Sequence, residues 1–266
     1  MIDSQDLNIR YSIDGKVFVI QIHRPEKKNA LLPSMYRALG DGLKQADADT
    51  SVNVILIKGL EDCFTSGNDV SGFVSDSEST TTSERPSAYF MRALVDTRKP
   101  IIAAVSGLAI GIGTTMLFHC DLIYASDECY LQMPFTKLGV SPEAGSSYLL
   151  PRQIGYQRAA ELILLGDRFS SAKALEYGIV TELLPQDKFQ DYALEKSREL
   201  ANLPPQAVQD SKQLLKQGLE KILPETINLE LEVFGKLVQS PESQAIVKAF
   251  LDRKKNALVY CSSSKR

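Results

Sequence analysis

Read for the spacing of apolar and polar positions, the chain alternates strand-like and helix-like runs over most of its length. Residues 16–23 (KVFVIQIH) are β-branched and alternating, which predicts a strand, and the turn-forming RPEKKNAL follows. From Pro33 to Ala48, Leu39, Leu43 and Ala46 recur on one helical face. Residues 52–57 (VNVILI) form an apolar run of strand length, then a small-residue loop, KGLEDCFTSGND. Residues 71–86 (SGFVSDSESTTTSERP) are too polar for a core and have the composition of either a mobile lid or an incidental surface insertion. The most apolar stretch lies at 100–126 and predicts a strand at 101–105, a tight glycine turn, a helix over about 113–118 and a strand at 121–125. Helices are then expected from Ala144, over 157–165 closed by Gly166, and over 171–177 stopped by Gly178, followed by a short strand in IVTELL.

Beyond Phe189 the pattern becomes helical throughout: ALEKSRELANL, QAVQDSKQLLKQGLEKIL, ETINLELEVFGKLV and SQAIVKAFLDRKKN, separated by proline-containing breaks with a hinge at Pro204 and Pro205. Amphipathic helices with no large core of their own must bury a face on the main domain or on another subunit. The expected organisation is an α/β core over 1–195 and a helical module over 196–266, with no internal repeat.

Composition narrows the class. The 266 residues carry 30 Lys plus Arg against 33 Asp plus Glu, a formal charge of −3, with 24% charged and 44% apolar residues. That is the balance of a globular protein, without the basic bias of a nucleic-acid partner. Cys63, Cys120, Cys129 and Cys261 form no C-x-x-C pair, so free thiols and an intracellular compartment are expected. The early acids argue against a signal or transit peptide, and the apolar run 100–112, broken by glycines, falls short of the about 20 residues that span a bilayer. The terminal CSSSKR lacks an intact S-K-L address, so a bacterial cytoplasmic setting is expected, with a peroxisomal one as the alternative.

Phosphate-loop, dinucleotide-turn and H-E-x-x-H signatures are absent, and His23 and His119, the two histidines, are expected to be structural. No metal site is expected. Two glycine turns remain, TSGND at 65–69 and GLAIGIGTT at 107–115, each leading from sheet toward helix. Taken alone they are ordinary α/β turns, yet brought together they would offer backbone N–H groups to a developing oxyanion. Glu143, in VSPEAGSSY, reads alone as a carboxylate in the first turn of a helix; buried instead, it would have a raised pKa suited to taking and returning a proton.

In order along the chain, RPEKKNAL, FTSGND, KPIIAAVSGLAIGIG, CDLIYAS, PFTKLGVSPEAGSSYLLPRQIG and AFLDRKKN together resemble the crotonase, or enoyl-CoA hydratase/isomerase, superfamily over nearly the whole sequence. The resemblance implies a spiral of ββα units, a C-terminal α-helical trimerisation module, trimers often paired as hexamers, and a CoA-thioester substrate. It places the oxyanion hole on the backbone N–H groups of Asn68 and Ile112; many members have glycine at the second position, but the main-chain donor survives the change. CoA contacts would fall on Lys28, Ala30, Ser66 and Asp69, with Phe250 and Lys254 as candidates reaching a nucleotide.

The two glutamates of the hydratases fall on Thr115 and Phe135, neither of which can act as a general base. SPEAGSSY instead resembles the SPEG-SSY segment of peroxisomal-type Δ3,Δ2-enoyl-CoA isomerases, whose catalytic glutamate falls on Glu143. The implied activity moves a double bond from C3 to C2 of an enoyl-CoA in fatty-acid β-oxidation, without a cofactor, while 71–86 corresponds to the variable segment beside the acyl pocket. Hydration and thioester hydrolysis are alternatives on the same hole. So is a non-catalytic CoA-binding module, as in chromodomain Y-like corepressors.

Overall fold

The computed structural model describes residues 4–70 and 85–263, with 254–263 as backbone alone. Two β-strands, β1 (Ile9–Asp14) and β2 (Val17–Ile22), form a hairpin around Gly15, whose φ of +57° suits the turn. β1 was not legible as a strand because most of its residues face solvent. Parallel to β2 run β3 (Val54–Lys58), β4 (Ile101–Val105), β6 (Leu122–Ser126) and β9 (Glu182–Leu184), giving a six-stranded sheet of order β1-β2-β3-β4-β6-β9.

A smaller sheet holds β5 (Leu108–Ile110), β7 (Tyr130–Gln132) and β8 (Phe169–Ser170). The chain visits the two sheets in turn: β4 then β5, β6 then β7, and before them β3 followed by Thr65, which bridges Ala109 of β5. This is the spiral of repeated units that the sequence led us to expect. The region expected as a plain glycine turn is therefore itself a strand, because β7 offers Leu108, Ala109 and Ile110 a ladder.

Both faces of the large sheet are buried, and its side chains divide with period two. Phe18, Ile20, Ile55, Ile57 and Ala103 pack into the main core with α1 (Pro33–Ala48) and α2 (Pro86–Asp96). Val17, Val19, Val54, Leu56 and Ile102 pack instead against α7 (Phe189–Ala201). The boundary expected after residue 195 thus falls inside a helix whose Ala193 and Ala201 are both part of that second core.

Left-handed residues move several expected boundaries. Gly111 (φ +57°) starts α3 (Ile112–Thr115), which gives way to a 3-10 turn at Met116–His119 rather than one continuous helix. Ala144 (φ +60°) and Gly145 (φ +72°) cannot begin a helix, so α4 runs Ser146–Ile154. α5 (Tyr156–Ala160) continues into a π-turn over Glu161–Leu165 that stops at Gly166, and α6 (Ser171–Glu176) precedes Gly178.

Among the terminal helices, α8 (Pro205–Leu215) ends near Gly218, at φ +88°, where the sequence pattern suggested an unbroken helix. α9 (Leu219–Val238) then runs through Pro224, where a break was expected; the proline removes one early backbone bond, to the carbonyl of Glu220. α10 (Pro241–Ser263) closes the chain. Lys212 pins α8 to the core through the Lys99 carbonyl at 2.7 Å and Asp121 at 2.8 Å. α9 packs on α2 and α4, while Leu214 and Leu215 of α8 stay 71% and 88% exposed. No helix among the described residues is long and apolar enough to cross a membrane.

Candidate active site

A cavity of about 660 Å³ opens where the two glycine turns, the loop before α4 and helix α9 meet. One wall is residues 65–69. Leu31 donates its N–H to the Gly67 carbonyl (2.8 Å) and accepts from the Asp69 N–H (2.9 Å), so the peptide groups of Asn68 itself turn to the opposite side. Asn68 lines the cavity, and its N–H has no acceptor among the described residues.

The facing wall comes from β5. Ile110 donates to the Thr65 carbonyl (3.0 Å), and the Gly111 N–H to that of Gln132 (2.8 Å). Ile112 is the first residue of α3, where the helix itself leaves an N–H unpaired, and this group too lacks an acceptor among the described residues. Gly67, at φ +86°, makes the close approach possible: a Cβ there would lie 2.6 Å from the Ile110 carbonyl oxygen.

Glu143 lines the same cavity and is only 6% exposed. Loss of water around the carboxyl pushes its pKa up to about 8; a hydrogen bond from Thr115 Oγ1 to Oε1, at 2.5 Å, opposes the rise, and the nearby charge of Glu230 adds to it. The residues after Glu143 are held from two directions. The Ala144 carbonyl accepts from His119 Nε2 at 2.7 Å, and burial holds the His119 pKa down at about 4, which keeps the ring neutral with its proton on Nε2. Glu230 of α9 accepts from the Gly145 N–H (2.6 Å), the Ser147 N–H (2.9 Å) and the Ser147 hydroxyl (2.5 Å). Glu143, read alone as a first-turn carboxylate, precedes the helix, and the carboxylate that accepts the Gly145 and Ser147 N–H groups at its start is instead Glu230 of α9.

Of the other expected contacts, Ser66 and Asp69 line the cavity. Lys28 and Ala30 sit next to them rather than in the lining: the Ser66 N–H donates to the Lys28 carbonyl (3.0 Å), and Arg24 spans Asp69 Oδ2 and the Ala30 carbonyl, each at 2.9 Å. Phe250, on α10, is 43% exposed and off the lining, and Lys254 lies in the stretch described as backbone. Of the expected lid over 71–86, residues 71–84 lie outside the described residues, while Arg85 and Pro86 line the cavity.

Phe135 is in the lining. Sequence reasoning did not find Tyr36 of α1, Met91 of α2, or Leu231, Phe234 and Val238 of α9, which complete an apolar surround. Leu231, Phe234 and Val238 follow the helical period, but the period alone does not say what a face covers. Among the described residues, no group of three His, Cys, Asp or Glu side chains is placed to hold a metal ion.

Residues 12–258 match the family model described as enoyl-CoA hydratase/isomerase. The rat protein named enoyl-CoA delta isomerase 2 is 36% identical over 209 residues, 77% of this chain; the match spans about half, 53%, of that longer protein. The Escherichia coli protein named 2,3-dehydroadipyl-CoA hydratase is 30% identical over 240 residues, covering 90% of this chain and 93% of its own. Among solved structures, Pseudomonas aeruginosa OdaA superposes with a TM-score of 0.89 at 39% identity, over 92% of this chain and 99% of that one.

Proposed function

The chain belongs to the enoyl-CoA hydratase/isomerase family, and from that premise we propose that it is a Δ3,Δ2-enoyl-CoA isomerase. The observation that carries this reading is the acid inventory of the cavity. Among the described residues, Glu143 is a buried carboxylate bonded only to a hydroxyl, and Asp69, the other acid those residues contribute to the lining, is paired with Arg24. The positions that would supply hydratase glutamates carry Thr115 and Phe135, and neither can activate water.

The thioester oxygen of a 3-enoyl-CoA accepts from the Asn68 and Ile112 N–H groups. Glu143 removes a proton from C2; the electrons of that C–H bond pass directly into the adjacent thioester carbonyl, the C3–C4 double bond conjugates with the enolate so formed, and the two N–H groups stabilise the dienolate. The carboxylic acid returns the proton to C4, the dienolate collapses to the C2–C3 double bond, and the carboxylate is regenerated. Because Thr115 occupies Oε1, the proton travels on Oε2. A carboxyl with a pKa of about 8 binds and releases a proton readily near neutral pH. Phe135, Leu231 and Phe234 keep the dienolate away from water. CoA enters as part of the substrate and no further cofactor takes part; Lys28, Ala30, Ser66 and Asp69 form the shelf on which it rests, and Phe250 and Lys254 stay the candidates that the family resemblance gives for the nucleotide. A trimer would cover Leu214 and Leu215.

The test is to mix the protein with cis- and trans-3-hexenoyl-CoA and identify the conjugated product by chromatography, with 2-hexenoyl-CoA run in parallel. Conversion of the 3-enoyl esters with negligible hydration is expected. Hydration of the 2-enoyl ester as the faster reaction would replace this reading with a hydratase, the activity that the name of the Escherichia coli relative carries.

A further inference from the structure

Between the proposed base and the start of α4, the peptide unit that joins Ala144 to Gly145 is gripped at both ends. Its carbonyl, on Ala144, accepts from His119, and its N–H, on Gly145, donates to Glu230 at 2.6 Å. The two grips come from distant parts of the chain: His119 ends a turn of the spiral core, and Glu230 sits on α9 in the C-terminal helices, 85 residues beyond Gly145. Both residues flanking the unit are left-handed, Ala144 without the excuse of being glycine, so the turn needs outside support to persist. We propose that Glu230 is a positioning residue for Glu143: it fixes the turn that aims the Glu143 carboxyl into the cavity, and it sets a second carboxylate behind that turn. The proposal rests on the reading of Glu143 as the proton carrier.

Three donors, two of them backbone N–H groups at the start of a helix, converge on the two oxygens of Glu230. Burial raises the Glu230 pKa above its ordinary value, and these three donors oppose that rise by favouring the ionised carboxylate. Among the described residues, a single cationic side chain shares the cavity wall with Glu143. Thr115 of α3 has a hydroxyl, His119 is neutral, burial pushes the Tyr36 hydroxyl of α1 well above its ordinary pKa, and Asp69 on the cavity wall is paired with Arg24; Arg85 is the cation on that wall. Arg92, on α2 against α9, is bonded to Asn228. Placing a like charge near a buried carboxylate disfavours its ionised form and strengthens it as a base.

The test reads the protonation of Glu143 directly. Infrared difference spectra are recorded across pH on the full-length protein, and the carboxylic-acid band lost in Glu143→Gln is assigned to Glu143. In Glu230→Gln the midpoint of that band is expected to move down by about 1 pH unit, with kcat for 3-hexenoyl-CoA falling about tenfold and KM little changed. An unmoved midpoint in folded Glu230→Gln overturns the proposal, because a merely structural contact would leave the charge effect at zero. Should that variant not fold, Glu230→Asp carries the test: it keeps the charge but withdraws it from the turn by one methylene. It is expected to fold and to lose kcat about tenfold at unchanged KM; wild-type kcat would overturn the proposal. A shifted midpoint in a protein that does not isomerise would refute the isomerase reading and leave the role of Glu230 standing, whereas isomerisation with an unmoved midpoint would do the reverse.

Discussion

Thr115 Oγ1 donates a 2.5 Å hydrogen bond to Oε1 of Glu143, with both side chains buried. The hydroxyl holds one carboxylate oxygen in place and leaves Oε2 without a partner among the described residues. The bond favours the ionised form, so it moderates the rise in pKa that burial produces. Thr115→Val keeps the shape and removes the donor. The expected outcome is a fall in kcat of about tenfold and an ascending limb of the pH–rate profile displaced to higher pH, measured with 3-hexenoyl-CoA. A displacement to lower pH would mean that the hydroxyl interacts with the protonated acid instead.

Glu143→Gln preserves the volume and removes the base. Isomerisation is expected to fall by at least about 10³-fold, with binding of the CoA ester, followed by calorimetry, within a few-fold of wild type. Substantial residual turnover would place the proton carrier elsewhere in the cavity.

The raised pKa of Glu143 has a kinetic and a thermodynamic sign. The base is the carboxylate, so kcat/KM is expected to climb with pH through about 8 and level off above it. For stability, the native state holds a proton on Glu143 between its ordinary 4.5 and about 8, where the unfolded chain has lost it. Stability from this group is complete below the lower value and is lost as pH rises through the upper one. Glu143→Gln, which has no charge to bury, is therefore expected to melt at least about 2 °C above wild type at pH 9 and to show no such advantage at pH 4. Parallel melting curves across that range would show that the carboxyl is solvated.

Taken alone, Asn68 and Ile112 stand in ordinary turns and Glu143 reads as a helix-start carboxylate; the family resemblance singled them out, and all three line one cavity. The α/β alternation was legible from the residues themselves, since the strand runs at 54–58 and 101–105 are continuous apolar segments bounded by turns. What escaped depends on partners far along the chain. Leu108, Ala109 and Ile110 look like a glycine-rich turn and become a strand only because β7 lies alongside. Glu230 looks like one acid among several on an amphipathic helix until the fold carries Gly145 and Ser147 to it. Leu231 and Phe234, next to it on α9, show the same limit: their spacing predicts a buried face, but not that the face lines the site.

The proposed oxyanion donors, the Asn68 and Ile112 N–H groups, belong to the backbone and cannot be removed by trimming a side chain, but Gly67 gives access to them. It precedes Asn68, adopts φ +86°, and faces the Ile110 carbonyl so closely that a Cβ would lie 2.6 Å from the oxygen. That carbonyl belongs to the strand running directly into Gly111 and Ile112. Gly67→Ala adds a strained backbone conformation and a clash with main chain, which cannot rotate out of the way as a side chain could. The 65–69 segment must then move away from β5, carrying the Asn68 N–H away from that of Ile112. Losing one such donor typically costs about 10²–10³ in rate, and a loss of that order in kcat is expected for the folded variant, with Glu143 still titrating at its wild-type midpoint. Gly111→Ala is the contrast: it adds a similar conformational cost, but its Cβ would meet nothing within 4 Å, so the two walls keep their spacing. A loss of kcat no larger in Gly67→Ala than in Gly111→Ala would show that the spacing of the two N–H groups is not what the reaction depends on.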